Sequence, residues 1–238
     1  MKAPYTAPSE HFIRRAFDSI SPHYDLLNRI LSFNAVDRWR RCAKEVLVQQ
    51  QLLAGGAILD LGVGTGDFLR EFLPALSWKL AAGLDFSAAM MERAREKLPP
   101  EVGFVIADFQ DLPFRDSSFD LIISAFTLRS VQDMPRFFQG LHQIVRPGGA
   151  VAFLDLTRPG NFWHKLFFFP YLKFYLPLVG WLISGNFGAY RFLSRSVEHF
   201  QTPAETISLM EAAGFEGFFR KSFSFGAVTL IISRRKRL

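Results

Sequence analysis

The chain has 238 residues, 49% hydrophobic and 21% charged, which suffices for one α/β domain with a proper core and excludes a disordered or low-complexity chain. Its net charge of +6 is compatible with nucleic acid or an anionic membrane surface. Cys42, the sole cysteine, excludes a disulfide framework and a Cys-rich metal centre.

Phenylalanine is over-represented, with 27 copies, and much of the positive charge sits in Arg234, Arg235, Lys236 and Arg237, which read as a solvated tail. The amino terminus lacks the apolar stretch of a signal peptide, so a cytoplasmic protein is expected. Residues 9–52 carry helical spacing, in Phe12, Ala16, Phe17 and Ile20, with a break at Ser21-Pro22. Two or three short helices are predicted there, capping a sheet. Tyr24-Asp25 reads both as a helix start, with Asp25 at the positive end of the dipole, and as part of a lid.

Ile58-Leu59-Asp60-Leu61 is a short apolar run ending near an acid, followed by Gly62, Gly64 and Gly66 and then by a helical pattern after Asp67. A buried parallel strand, a tight loop and a helix amino end are predicted, the place where open α/β sheets bind ligands. The glycine spacing is G-x-G-x-G, not the G-x-G-x-x-G of a dinucleotide site, and no Lys-Ser/Thr follows, which excludes a P-loop. Asp60 repels phosphate but suits a cationic ligand with an amino group. A second strand, Leu80 to Leu84, ends at Asp85-Phe86, with Asp85 at the distance along the chain where a carboxylate takes ribose hydroxyls.

Strands and helices then alternate, which predicts a parallel sheet. A helix capped by Ser87 runs to about Lys97 and stops at Pro99-Pro100. Phe104–Ala107 is a strand ending at Asp108-Phe109, and Phe119–Ser124 is the next. A helix over 135–145 is stopped by Pro147-Gly148-Gly149, and Ala150–Leu154 is a strand ending at Asp155. Residues 160–200 form an aromatic insertion. Its charges and prolines exclude a membrane-spanning helix. It reads either as helices packed on the sheet edge or as an apolar mouth for a lipid-like substrate or the bilayer surface, with 162–182 as the contact. A helix from Thr202-Pro203 to Ala213 and two strands, about 217–223 and 228–233, close the chain.

Asp60 with its glycines, and Asp85 after the second strand, resemble motifs I and II of class I S-adenosylmethionine-dependent methyltransferases. Further stretches resemble one family within that class, the C-methyltransferases of ubiquinone and menaquinone biosynthesis. They are Phe17-Asp18, Tyr24-Asp25-Leu26-Leu27-Asn28, Arg38-Trp39-Arg40, Leu112-Pro113-Phe114, Phe126-Thr127-Leu128-Arg129, Arg146-Pro147-Gly148-Gly149, Tyr190-Arg191-Phe192-Leu193 with Ser196, and Ala213-Gly214-Phe215. The family's Ser and Asn around Phe-x-Leu-Arg are Ala125 and Ser130 here, its Gly is Thr127, and its Leu-Glu-Phe is Leu154-Asp155-Leu156.

The resemblance implies a seven-stranded Rossmann-like methyltransferase sheet, mostly parallel with an antiparallel last strand, in a single domain over 1–238. It implies S-adenosyl-L-methionine as cofactor, held by Asp60, Gly62, Gly64, Thr65, Gly66, Asp85, Phe86, Asp108 and Phe109. Asp85 is expected on the ribose, Thr65 and the loop on the amino-acid end, and Asp108 with Phe109 beside the adenine. The implied reaction is methylation of a ring carbon of a prenylated quinol, whose nucleophilicity depends on a neighbouring hydroxyl losing its proton. Arg129 is the expected phenolate stabiliser; the alternative is an interior ion pair with Asp133 or Asp155. Tyr24, Asp25 and Asp155 are the candidate proton acceptors, and no metal is needed. A homo-oligomer and peripheral contact with the inner face of a membrane are compatible.

Other acceptors stay open: another phenolic or lipid molecule, or no catalysis at all, with the chain a donor-binding scaffold. Nucleic acid methylation is disfavoured, since no Asn-Pro-Pro-Tyr-type loop follows the fourth strand and Cys42 lacks a Pro-Cys context.

Overall fold

The structure, a computed structural model, describes residues 10–53, 55–75, 78–158, 170–185 and 200–237, together with Gly188, Tyr190 and Ser196. Three helices come first: α1 (Glu10–Ile20), α2 (Tyr24–Leu31) and α3 (Ala35–Gln49). Strand β1 (Ala57–Leu61) leads through the glycine loop to α4 (Asp67–Phe72), followed by β2 (Leu80–Asp85), α5 (Ala88–Lys97) and β3 (Gly103–Ile106). Then come β4 (Phe119–Ala125), α6 (Met134–Ile144) and β5 (Val145–Leu156). A single π-turn, Tyr171–Tyr175, runs into α7 (Leu176–Ser184), and α8 (Pro203–Ala212), β6 (Phe215–Phe223) and β7 (Val228–Arg235) complete the chain.

The sheet has seven strands in the order β3-β2-β1-β4-β5-β7-β6. The first five are parallel, and β7 runs antiparallel to both β5 and β6, as expected. Both faces are buried, so successive residues pack into different cores. Ile58, Leu121, Ile123, Ala152 and Leu154 face α3 and α4. Leu59, Leu61, Ile122, Val151 and Phe153 pack with α6 and α8. A third cluster joins Ala16, Ile20, Leu27 and Leu31 of the amino-terminal helices to Met90, Leu172, Leu176 and Tyr190. The order reverses between β1 and β4, so the loops after these strands diverge and open a crevice at the sheet's carboxyl edge.

Most caps fall where sequence places them. Ser87 Oγ accepts from Met90 N at 3.2 Å, and Thr202 with Glu205 forms a capping box on α8. Four expectations need correction. The strand β5 begins at Val145, directly after α6, rather than beyond Pro147-Gly148-Gly149. Phe119 pairs with Val145 and Leu121 with Ala150, so the Pro-Gly-Gly segment is extra chain bulged out of the ladder, with Gly148 at φ +79°. The closing strands are likewise longer than expected, β6 starting at Phe215 rather than 217 and β7 ending at Arg235 rather than 233. Arg234 and Arg235 are not tail but strand, and Arg235 Nη1 donates to the carbonyls of His142 (2.7 Å) and Val145 (2.7 Å), a cation on the negative end of α6. Leu172, within the expected membrane contact, is fully buried. The amino half of the aromatic insertion, 159–169, lies outside the described residues.

Candidate active site

The glycine loop is tied to β2. Gly62 N and Val63 N both donate to Leu84 O, at 2.7 and 2.9 Å, and Gly64 N donates to Asp85 Oδ2 at 2.9 Å. Gly62 has φ +73°, and a Cβ there would stand 2.4 Å from Thr127 Oγ1, so glycine is required for both conformation and space. Asp85 Oδ1 accepts from Ser87 N at 2.9 Å. Burial pushes the Asp85 carboxyl up to about 6, against the N–H groups of Ser87, Gly64 and Phe86, and the Asp18 charge adds to the rise.

Around this carboxylate lies a cavity of about 30 Å³, lined by Gly62, Gly64, Phe86, Met90, Phe109 and Thr127 among others. The residues fit S-adenosylmethionine in kind. The Asp85 oxygens keep lone pairs for ribose hydroxyls, and Phe86 and Phe109, edge to face with centroids 5.7 Å apart, form one aromatic wall for a base. The cavity opens to solvent, with Phe17 of α1 and Tyr24 of α2 on its walls.

A larger cavity of about 120 Å³ adjoins it, close to the size that takes up a benzene ring in an apolar protein interior. Its wall is mainly apolar, with Ile20, Leu31, Val36, Trp39, Leu156 and Leu176, and carries Tyr24, Asn28 and Arg129 as polar elements. Phe17, Tyr24, Phe126 and Ser130 line both cavities. Phe126 adopts φ +62°, a conformation unusual for its type, and is fixed there by its N–H to Leu154 O at 2.8 Å.

Of the expected donor-binding residues, Gly62, Gly64, Asp85, Phe86 and Phe109 line the smaller cavity. Asp60, Thr65, Gly66 and Asp108 do not. Asp108 Oδ1 accepts from Gln110 N at 2.6 Å, which holds the turn after β3. Asp60 is buried behind the loop, and its two oxygens meet no donor at hydrogen-bonding geometry among the described residues. Burial pushes its pKa up to about 8, while the Arg40 charge and the Leu69 N–H pull the other way.

Arg129 borders the larger cavity and is also in the interior ion pair weighed from sequence, with Asp155 rather than Asp133. Its Nε donates to Asp155 Oδ1 (3.2 Å), Nη1 to Ser196 Oγ (3.2 Å) and Nη2 to Phe126 O (3.3 Å). These take three of its five N–H bonds. Asp155 lies behind it, lining neither cavity, and also accepts from Leu128 N and Leu156 N, both at 2.8 Å. With these lone pairs engaged it orients Arg129 and the Phe126 loop rather than receiving a substrate proton. Burial raises the pKa of Tyr24, outweighing Asn28, Arg40 and Arg129. A phenol above its ordinary value stays protonated at neutral pH and donates rather than accepts. Asp25 is engaged elsewhere: Thr65 Oγ1 donates to Asp25 Oδ1 at 2.6 Å and Lys97 Nζ to Asp25 Oδ2 at 2.5 Å.

Lys97 also reaches Asp67 Oδ1 at 3.1 Å, and Arg40 reaches Asp67 Oδ2 at 3.2 Å. Burial drives Asp67 up, but Arg40 and Lys97 outweigh it and hold the carboxylate below its usual range. Ser87 Oγ donates to Asp18 Oδ1 at 2.5 Å. The first three helices are thus bonded to the loop and to α5. Sequence offered no role for Phe17, Asp18, Asn28, Arg40, Lys97 or Phe126. The helical spacing of Phe17 was a usable signal, whereas charge pairs between distant segments leave none.

Comparison with known proteins agrees with this geometry. The chain is 39% identical to a demethylmenaquinone methyltransferase of Thermus thermophilus over 225 residues, 92% of this chain and 99% of that one. It is 38% identical to a demethylmenaquinone methyltransferase of Thermotoga maritima, over 88% of this chain and 90% of that one. It is 34% identical to a ubiquinone/menaquinone biosynthesis C-methyltransferase UbiE of Geobacter sulfurreducens, over 92% and 86%. Two solved structures share the fold. A putative methyltransferase bound to the Trm112 activator of Haloferax volcanii aligns with TM-score 0.66, 19% identity and coverage of 93% of this chain and 98% of that one. A SAM-dependent methyltransferase of Thermotoga maritima, described as a possible histamine N-methyltransferase, aligns with TM-score 0.63, 21% identity and coverage of 94% and 100%. The model of the ubiE/COQ5 methyltransferase family matches residues 6–235, and the chain belongs to that family.

Proposed function

We propose that the protein transfers a methyl group from S-adenosylmethionine to a ring carbon of a prenylated hydroquinone in quinone biosynthesis, with the whole chain working as one domain. The observation that carries the reading is the shared wall of Phe17, Tyr24, Phe126 and Ser130, with a carboxylate-bearing cavity on one side and a ring-sized apolar cavity on the other. The named relatives support the substrate class.

When bound, S-adenosylmethionine supplies an electrophilic methyl on a positively charged sulfur. The chain's own residues do the rest. Phe17, Tyr24 and Phe126 would hold a flat ring against the donor cavity, where transfer needs an approach of roughly 3–3.5 Å. The Arg129 guanidinium favours the ionised hydroxyl, which pushes electron density onto the ring carbon. The donor would leave as S-adenosylhomocysteine, and the one proton lost from the acceptor would pass to solvent water, since Tyr24, Asp25 and Asp155 are engaged within the protein. Asp155 and the Phe126 carbonyl fix the guanidinium plane, so no reorganisation is needed as charge develops.

Phe174, Leu178, Trp181 and Leu182 are exposed along the π-turn and α7 at steps of four, three and one, one stripe of a helix. Phe33, 71% exposed, stacks on Tyr175 with centroids 5.5 Å apart, and the hydroxyl of neighbouring Tyr171 donates to Leu31 O at 2.6 Å. This apolar face adjoins the larger cavity through Tyr171 and Leu176, and we assign it to a membrane surface from which the prenyl tail enters. No helix among the described residues is long and apolar enough to cross a membrane.

The test is turnover of a demethylated quinol by the purified protein added to an extract that lacks this activity. Formation of the methylated quinone is expected. Turnover only of unrelated phenols, or none at all, would reject the reading.

A further inference from the structure

We propose that the side-chain amide of Asn28 is the neutral hydrogen-bonding partner of the acceptor ring's oxygen, and so selects acceptors that carry an oxygen on the ring. This rests on the quinol reading of the larger cavity and adds a residue that the reaction itself does not require.

Three polar groups of that cavity are committed within the protein. Tyr171 donates to Leu31 O, and Ser32 Oγ donates to Arg29 O while accepting from Val36 N. Arg129 is held by Asp155, Ser196 and the Phe126 carbonyl. Asn28 differs. It lines the cavity, and its Nδ2 is buried and meets no acceptor at full hydrogen-bonding geometry among the described residues; the Tyr24 hydroxyl, one turn back, is the group it acts on. An amide left so costs folding stability. Such a cost persists where a ligand satisfies the group.

Its position suits that task. Tyr24, Asn28 and Ser32 lie four residues apart on α2 and its end, so they form one stripe along the cavity. Tyr24 stands at the shared wall where the methyl crosses. Asn28 is one turn further from the donor, about 6 Å along the helix axis. A ring whose reacting carbon meets the wall therefore has its oxygen-bearing edge within reach of this amide. The N–H donates to the oxygen whether it is a hydroxyl or a phenolate, and more strongly to the phenolate. Asn28 and Arg129 then divide the work: the amide sets the ring's orientation, and the guanidinium sets its charge.

The experiment compares wild type with Asn28→Leu and Asn28→Asp, as full-length protein. Calorimetry with a short-tailed naphthoquinone measures acceptor binding, and steady-state turnover of the matching demethylated quinol measures the reaction. For Asn28→Leu we expect acceptor binding and kcat/KM to fall at least tenfold, donor affinity within twofold of wild type, and a thermal midpoint equal to or above wild type. That last result would not come from a structural role, which predicts a lower midpoint. For Asn28→Asp the carboxylate opposes substrate ionisation, so the rising limb of the pH–rate profile moves to higher pH. A Leu variant with wild-type binding and turnover overturns the inference, and so does one whose loss of activity follows a loss of stability. A wild type that binds the quinone without methylating its quinol rejects the proposed reaction, and the binding data then decide on Asn28 alone. A wild type that does neither rejects both.

Discussion

Thr65 and Asp25 are 40 residues apart in sequence, and the threonine hydroxyl donates to the carboxylate at 2.6 Å. The bond joins the glycine loop to α2, and Lys97 locks it from α5 by binding Asp25 and Asp67 together. Phe17 and Tyr24 stand on the wall of the donor cavity, so loosening this bond should change how fast the donor enters and leaves. Asp25→Ala removes one hydrogen bond and one partly exposed ion pair. A stability loss of about 1–2 kcal/mol is expected. Stopped-flow binding should show faster association and faster release of S-adenosylmethionine. Unchanged rates would show that the helices do not gate the site.

Asp85 makes donor binding depend on pH. Its carboxyl, raised by burial to about 6, is ionised at neutral pH and accepts ribose hydroxyls. Protonation turns one oxygen into a donor, so affinity falls as pH drops through about 6. Titrations at pH 5 and pH 7.5 should differ for wild type and agree for Asp85→Asn. Asp85→Ala should weaken binding by about 1–3 kcal/mol at pH 7.5, with some of the loss arising from the freed Gly64 and Ser87 N–H groups. An affinity equal to wild type would remove Asp85 from the donor site.

The exposed face of α7 gives a separate check. Phe174→Ser with Leu182→Ser changes side chains that contact solvent, so stability should hold within about 0.5 kcal/mol. Co-sedimentation with anionic vesicles should fall, along with turnover of a long-tailed quinol, while a short-tailed quinol reacts as before. Equal loss on both substrates would place the effect inside the protein.

Arg129 separates binding from catalysis. Its charge matters most when the ring oxygen is most negative, so removing it lowers kcat more than it raises KM. Arg129→Lys should keep some activity, and Arg129→Met far less. Donor affinity should stay normal in both, and the Met rate should recover partly at high pH as the substrate ionises unaided. A Met variant that fails to fold would leave Arg129 with the structural role its pairing with Asp155 already supports.

Legibility in the sequence divides by the range of the forces involved. The strand at Ile58, the turn at Gly62 and the caps at Ser87 and Thr202 are local, set by patterning and backbone conformation, and they were readable. Pro147-Gly148-Gly149 misled because the same glycines that end a helix also permit a bulge, and the ladder with β4 decides between them. Asp155 looked like Asp85, an acid at a strand end. Three donors folded against it from Leu128, Arg129 and Leu156 make it an anchor instead. Asn28 carried a motif but no role, since only the packed cavity shows that its amide faces the acceptor space without an acceptor at full hydrogen-bonding geometry among the described residues.

The central claim is that a ring carbon, and not its oxygen, meets the methyl at the wall of Phe17, Tyr24, Phe126 and Ser130. It is tested by a single turnover with S-adenosylmethionine carrying a carbon-13 methyl and a demethylated naphthoquinol, followed by carbon NMR of the product. The label should appear as a methyl on the ring carbon. A label found on oxygen, as a methoxy carbon, would contradict the account.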